Sequence, residues 1–253
     1  KYLKATLRPY QKNGYNWLNQ MNDLGFGACL ADDMGLGKTI QVISFLEKMY
    51  ENNKESHVLL IVPASLLGNW SKEIDKFAPR MTYHILHGKT NILDEDCFAT
   101  ITTYGMALRM ECLQERVWDC LILDEAQAIK NPATKQTRAI KKIPSQMRIA
   151  MTGTPIENDL SNLWSLFDFL NKGLLGSATD FKNYTKKVQA YPEYITKLKM
   201  MVSPFILRRL KTDKSIISDL PDKMEITEHV DLSKRQIVLY RKEVEKAEDL
   251  ILE

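Results

Sequence analysis

Two rhythms of apolar positions alternate along the chain. Short continuous apolar runs at Phe26–Leu30, Val58–Val62, Met81–Leu86, Ala99–Tyr104, Trp118–Leu123 and Arg148–Met151 predict strands buried on both faces. Between them, apolar residues recur at helical spacing: Tyr15, Leu18 and Met21; Ile40, Ile43, Phe45 and Leu46; Leu66, Leu67, Trp70, Ile74 and Phe77. Trp70 falls on the apolar face of its segment and is expected in the core. Strand and helix in alternation predict an α/β fold with a mostly parallel sheet, helices on both sides, and a site at the carboxyl ends of the strands. From about residue 160 the pattern becomes helical, which predicts a helical appendage beyond the sheet. The expected division is a core over 1–160, a helical protrusion over 161–221 and a connecting segment over 222–253, with a boundary near Leu220-Pro221-Asp222.

The strand ends carry the polar chemistry. The first run feeds Asp32-Asp33-Met34-Gly35-Leu36-Gly37-Lys38-Thr39, and a helix follows. A strand, a glycine-containing loop ending in Gly-Lys-Thr, and a helix form a phosphate-binding loop. Glycines let backbone N–H groups turn toward an anion, and the helix N-terminus adds its positive end. Lys38 can reach β- and γ-phosphates as a point charge, and the Thr39 hydroxyl can ligate Mg²⁺. Asp32 occupies the position where the usual pattern has its first glycine. The run Trp118–Leu123 ends in Asp124-Glu125. In phosphoryl-transfer enzymes a strand-end Asp holds Mg²⁺ and a neighbouring Glu orients or deprotonates the attacking water. Read alone, the pair is also an ordinary helix cap; the loop upstream favours the catalytic reading.

Three further strand or helix ends are candidates on weaker grounds. Arg148–Met151 leads into Thr152-Gly153-Thr154-Pro155, hydroxyls at a strand tip that could sense the γ-phosphate. Thr102, Thr103 and Tyr104 could contact a backbone phosphate, although they are equally good strand chemistry. Gln11, beside Tyr10 at a helix start, could read an adenine edge through its amide, and an ordinary amphipathic helix start fits as well.

Composition narrows the class. With 253 residues, 44% hydrophobic and 26% charged, the chain suits a globular protein with a sizeable core. No apolar run approaches the ~20 residues needed to span a bilayer. The four cysteines have no paired spacing, so reduced thiols in a cytosolic or nuclear setting are expected. His84 and His87 lack a companion cluster and read as structural. The net charge is only +3, yet Lys182–Lys214 holds nine basic side chains against two acidic ones, interleaved with Phe181, Tyr184, Tyr191 and Tyr194. Such a segment could line a duplex groove, and a solvated helical face with buried aromatics is the plainer reading. The chain opens on Lys1 and reads as an excised part of something longer.

Together these motifs carry a family resemblance. Leu7–Gln11, Asp32–Thr39, Asp124–Gln127, Thr152–Asn158, Leu163–Leu170 and Phe205–Lys211 resemble the SWI/SNF family of helicase-like ATPases, in helicase superfamily two. The ordered set spans nearly the whole chain. The resemblance implies a RecA-like lobe of a duplex-DNA translocase that uses ATP and Mg²⁺ to remodel protein–DNA complexes. It implies nucleotide contacts at Gln11, Asp33, Met34, Gly35, Leu36, Gly37, Lys38, Thr39 and Ile40. Magnesium is implied at Thr39 and Asp124, and catalysis by Lys38, Asp124 and Glu125. It implies DNA-facing positions at Pro63, Ala64, Ser65, Thr102, Thr103, Tyr104, Lys130 and Asn131, and coupling through Thr152, Gly153 and Thr154. Gln127 and Glu157 stand where many eukaryotic members carry a histidine and a glutamine, a combination more like bacterial or archaeal members. Nothing after Arg209 resembles the family's second lobe with its arginine fingers, so that lobe is an expected partner, and low activity is expected of this lobe alone. A DNA-bound protein is a further possible partner. The expected setting is the cytoplasmic nucleoid of a prokaryote or a eukaryotic nucleus. Two other readings stay open: an RNA or single-strand helicase of the same superfamily, and a non-enzymatic DNA- or protein-binding module.

Overall fold

The computed structural model describes residues 2–88, 92–153, 160–191 and 193–213. These all fall within one compact unit. Seven strands form one sheet in the order β3-β4-β2-β5-β6-β1-β7, and every neighbouring pair is parallel. They are β1 (Ala28–Leu30), β2 (Val58–Val62), β3 (Tyr83–Leu86), β4 (Ala99–Thr103), β5 (Trp118–Leu123), β6 (Ser145–Met151) and β7 (Ile206–Leu207).

Alternation along the strands sorts side chains to two faces. Val58, Leu60 and Val62 of β2 point into a core with Ile122 and Ile149, covered by α1 (Pro9–Leu24), α2 (Lys38–Asn52) and α3 (Leu67–Phe77). Leu59 and Ile61, with Leu121 and Leu123, point to the opposite core. That face is closed by α4 (Tyr104–Arg109), α5 (Lys135–Lys142) and α6 (Leu160–Leu170) through Met106, Ile140, Leu166 and Phe169. Each fully buried Leu or Ile contributes roughly 1.5–3 kcal/mol relative to exposure, which fixes the strand register. Trp70, fully buried, belongs to the first of these cores.

Element boundaries follow local chemistry. Pro9 at the first helical position and Gly25 in the left-handed region bracket α1, so Tyr10 and Gln11 lie inside its first turn. Phe26 is outside β1, 41% exposed, and packs edge-on against Phe205. The third strand begins at Tyr83 because Met81 N–H closes a turn onto the Ala78 carbonyl. Tyr104 opens α4, capped by the Thr103 hydroxyl.

Beyond residue 160 the helices take different roles. Helix α6 lies on the sheet, while α7 (Ala178–Ala190) and α8 (Glu193–Val202) pair beyond it, packed through Phe181, Leu198 and Val202 against Leu163 and Phe167 of α6. A capping box of Ser177 and Asp180 starts α7. The chain then returns to the sheet as β7, beside β1, a strand too short to read from sequence. Both flanks of the α7–α8 pair are therefore tied to β1. At one end Asn171 exchanges two hydrogen bonds with the Gly27 backbone, at 2.8 and 3.0 Å; at the other, β7 extends the sheet. The segment expected over 222–253 and its boundary at Pro221 lie outside the described residues.

Candidate nucleotide site

The sheet delivers its polar residues to one edge. Strand β1 ends at Leu30 and turns into the glycine loop; β5 ends at Leu123 and presents Asp124 and Glu125; β6 ends at Met151 before Thr152. The loop and the acidic pair open onto one cleft of about 410 Å³, lined by Lys38, Thr39, Asp124 and Glu125 among others. Asn69, Glu73 and Phe77 of α3 form its far wall. Burial raises the Glu73 carboxyl above its ordinary range, partly offset by Lys76. No motif marked these α3 residues; only their phase on the helix that carries Trp70 could have suggested them.

Left-handed backbone at Gly35 (φ 85°) and Gly37 (φ 78°) shapes the loop. A side chain at Gly37 would also strike Gln11, whose Nε2 would lie 2.5 Å from an added Cβ. Helix α2 begins at Lys38, so the loop's N–H groups and the helix N-terminus face the same space. Lys38 Nζ donates to the Asp32 carbonyl at 2.7 Å. Gln11 Nε2 and the Tyr10 hydroxyl both donate to the Leu36 carbonyl, at 3.2 and 3.0 Å, and Gln11 Oε1 accepts from Arg8 N–H at 3.0 Å. The glutamine amide is thus engaged with the loop and the helix start on both its donor and its acceptor side. Met34, by contrast, is 72% exposed at the loop tip.

Asp32, at the first-glycine position, has a structural partner that sequence reading missed. Its carboxylate is fully buried and accepts from the Arg209 backbone N–H at 3.0 Å, from Arg209 Nε at 2.8 Å, from Arg209 Nη2, and from Gln41 Nε2 at 3.2 Å. The same guanidinium donates to the Tyr10 carbonyl and to Gln41 Oε1 and lies over the Tyr10 ring. Arg209 therefore belongs to the base of the loop and not to the basic surface counted from sequence. The signal available beforehand was the aspartate itself: a carboxylate where glycine is usual demands a buried cation.

Asp124 is held from two sides. Trp70 Nε1 donates to Oδ2 at 2.8 Å and Glu125 N–H to Oδ1 at 2.9 Å. Burial pushes its carboxyl above the ordinary aspartate range, opposed by the Trp70 bond and reinforced by the neighbouring Glu125. Trp70 is thus both a core residue and a donor to the acidic pair. Among the described non-glycine residues, Glu125 alone has a positive φ, 51°. Its Oε2 accepts from Gln127 Nε2 at 2.7 Å, and Gln127 Oε1 accepts from the Thr152 hydroxyl at 3.2 Å. A hydrogen-bonded relay consequently joins the acidic pair to the tip of β6. Thr154 lies outside the described residues.

The expected DNA-facing residues divide. Pro63, Ala64 and Ser65 form an accessible turn after β2, and Lys130 and Asn131 are exposed past the acidic pair. Thr102, Thr103 and Tyr104 differ from the expectation, since their hydroxyls are used internally. Thr102 Oγ1 donates to the Leu86 carbonyl at 2.8 Å, and Thr103 Oγ1 accepts from Met106 N–H at 3.3 Å. The Tyr104 hydroxyl donates to the Asp124 carbonyl at 2.6 Å. All three are buried, so they brace the sheet edge and the acidic turn. In the basic segment, Phe181, Tyr184 and Tyr194 pack the α7–α8 pair, Tyr191 is exposed, and Lys182, Lys186, Lys187, Lys197 and Lys199 face solvent.

The donor set suits a hard divalent cation. Among the described residues no cluster of three or more His, Cys, Asp or Glu forms a cage. Thr39 and Asp124 instead offer a hydroxyl and a carboxylate in the cleft, as Mg²⁺ sites completed by phosphate oxygens and water require.

A parallel sheet with a glycine loop on one strand end and an acidic pair on another defines a RecA-like phosphate-loop lobe. Comparison narrows this further. The model of the SNF2-related domain matches residues 10–253, and the chain belongs to that family. It is 43% identical to a putative ATP-dependent helicase/translocase, YwqA, of Bacillus subtilis, covering 97% of this chain and 28% of that protein. It is 36% identical to the chromatin-remodeling ATPase INO80 of Saccharomyces cerevisiae, covering 95% of this chain and 18% of that protein. The solved SWI2/SNF2 ATPase core of Sulfolobus solfataricus in complex with dsDNA superposes with a TM-score of 0.83 at 47% identity, over 97% of this chain and 53% of that one. The core domain in a separate structure gives a TM-score of 0.81 at 46% identity. The chain thus spans under a third of these curated relatives and about half of the solved chains.

Proposed function

We propose that this chain is the nucleotide-binding lobe of an ATPase that moves along duplex DNA and remodels protein–DNA complexes. The observation that carries the reading is the convergence of Lys38 and Thr39, at the start of α2, with Asp124 and Glu125, at the end of β5, on one cleft. Lys38 and the loop N–H groups bind the β- and γ-phosphates, and Thr39 and Asp124 hold Mg²⁺. When bound, the ion neutralises phosphate charge and polarises the phosphoryl group. Glu125, fixed by its backbone conformation and by Gln127, orients the attacking water and accepts its proton. Thr152 senses the state of this pair through Gln127, the first link between hydrolysis and the DNA track. The remaining charge that builds up in the transition state is met by arginines of a second lobe, a contribution worth ~10³–10⁵ in rate.

The duplex-DNA track is supported by the SWI2/SNF2 core solved with dsDNA, at 47% identity, and by exposed polar or basic groups at Ser65, Lys130, Asn131 and the α7–α8 lysines. A nucleoid or nuclear location follows from that track. The test is equilibrium binding of labelled duplex DNA, single-stranded DNA and duplex RNA at two salt concentrations. Preferential binding of duplex DNA that weakens with salt is the expected result. Equal binding of all three, or preference for RNA, would replace the translocase reading with that of an RNA or single-strand helicase.

A further inference from the structure

Past β7 the chain runs as a strap along the outside of the glycine loop, and this strap brings a lysine to it. Ala31 N–H donates to the Leu207 carbonyl at 2.7 Å and Asp33 N–H to the Arg209 carbonyl at 3.0 Å. Lys211 N–H donates to Asp33 Oδ2 at 3.0 Å. Between these ties, Arg209 is pinned to Asp32 through both its backbone and its guanidinium. The strap is therefore tied to the loop at every second residue, 207, 209 and 211, and the side chain of Lys211 starts from a set point beside it.

That side chain lies across Gly35. A Cβ added at Gly35 would come within 3.0 Å of Lys211 Nζ and 3.3 Å of its Cε. Gly35 lines the nucleotide cleft, and its φ of 85° already disfavours any side chain. Lys38 approaches the same turn from the inside, with its ammonium on the Asp32 carbonyl. The loop is thus flanked by two ammonium groups, one from its own helix and one from the strap. Among the described residues no carboxylate forms an ion pair with Lys211. Asp33, on the loop side, accepts from the Lys211 backbone N–H through Oδ2.

We propose that Lys211 is a second cation of the polyphosphate site, placing positive charge on a nucleoside di- or triphosphate from the strap side of Gly35. The inference rests on the nucleotide reading of the cleft. It adds a residue 173 positions beyond the loop lysine to the groups that set nucleotide affinity.

The test is titration of the 253-residue chain with ADP and Mg²⁺, at low and high salt, in wild type and in Lys211→Gln, Lys211→Glu, Lys211→Arg and Lys38→Ala. An exposed ion pair of this kind is worth about a two- to fivefold change in affinity. Lys211→Gln is expected to weaken ADP binding by that amount at low salt and less at high salt. Lys211→Glu should weaken it more, and Lys211→Arg should retain it, all with an unchanged thermal midpoint in the absence of nucleotide. Unchanged ADP affinity in both Lys211→Gln and Lys211→Glu overturns the proposal, as does an equal loss in Lys211→Arg. Loss in Lys38→Ala with no effect at Lys211 removes this inference alone, whereas no effect at either lysine removes the nucleotide reading beneath it.

Discussion

Arg209 Nε donates to Asp32 Oδ1 at 2.8 Å across 177 positions of sequence, joining the end of β7 to the foot of the phosphate loop. Asp32 is fully buried and Arg209 is 6% exposed, so neither charge has water to fall back on. Removing one partner of such a pair leaves the other buried and uncompensated, a loss of about 3–5 kcal/mol. Arg209→Met is expected to cost that much in chemical denaturation. Adding Asp32→Asn to it should recover part of the loss, because the orphaned carboxylate is then neutral. Strictly additive costs would show that the two residues do not act as a pair.

Asp124 gives the site a pH dependence. Burial holds its carboxyl above the ordinary range, and the Trp70 N–H opposes that rise. Because the folded value is raised, the stability this group contributes is present below its unfolded value and is lost as pH rises through the folded one. Ligand binding has the opposite sign, since only the carboxylate holds Mg²⁺. Magnesium-dependent nucleotide binding should therefore fall on the acid side at a pH above the usual aspartate range. Trp70→Phe should move that fall to still higher pH, while costing about 1–3 kcal/mol for the donor lost from a buried charged group. Affinity measured from pH 4 to 8 in both proteins checks the shift, and an unmoved acid limb would show that Trp70 has no hold on Asp124.

Glu125 occupies the left-handed region at φ 51°, ψ 55°, where a side chain costs about 1 kcal/mol or more. Glu125→Gly is accordingly expected to be more stable than Glu125→Ala by about 1 kcal/mol, the reverse of the usual loop ranking of these residues. Both should bind nucleotide and neither should turn it over. Denaturation midpoints and single-turnover hydrolysis separate the two effects. An alanine variant as stable as the glycine one would mean that this turn stores no strain.

Much of this site was legible because its parts are local. The β2 and β5 runs read as buried strands since parallel strands show water no face, and the loop and acidic pair sit where those strands must end. Gly37 and Lys38 are adjacent in the chain, so spacing alone marks them as candidates. What could not be read depends on distance through the chain. Strand β7 is two residues long and exists because β1 offers it an open edge. The Arg209–Asp32 pair needs that strand in place before its partners meet. Tyr104 shows the converse limit: its position was plain, but the direction of its hydroxyl, into Asp124 and away from solvent, was set by packing around α4.

The most direct measurement is calorimetric titration of the 253-residue chain with ADP and Mg²⁺, paired with the same titration of Lys38→Ala. The account predicts saturable binding strengthened by Mg²⁺ in the parent chain. It predicts a loss of at least about tenfold in Lys38→Ala, as expected for a cation removed from a phosphate contact, with the thermal midpoint retained. Equal affinity in the two proteins would contradict the assignment of this loop as the phosphate site, and with it the function built upon it.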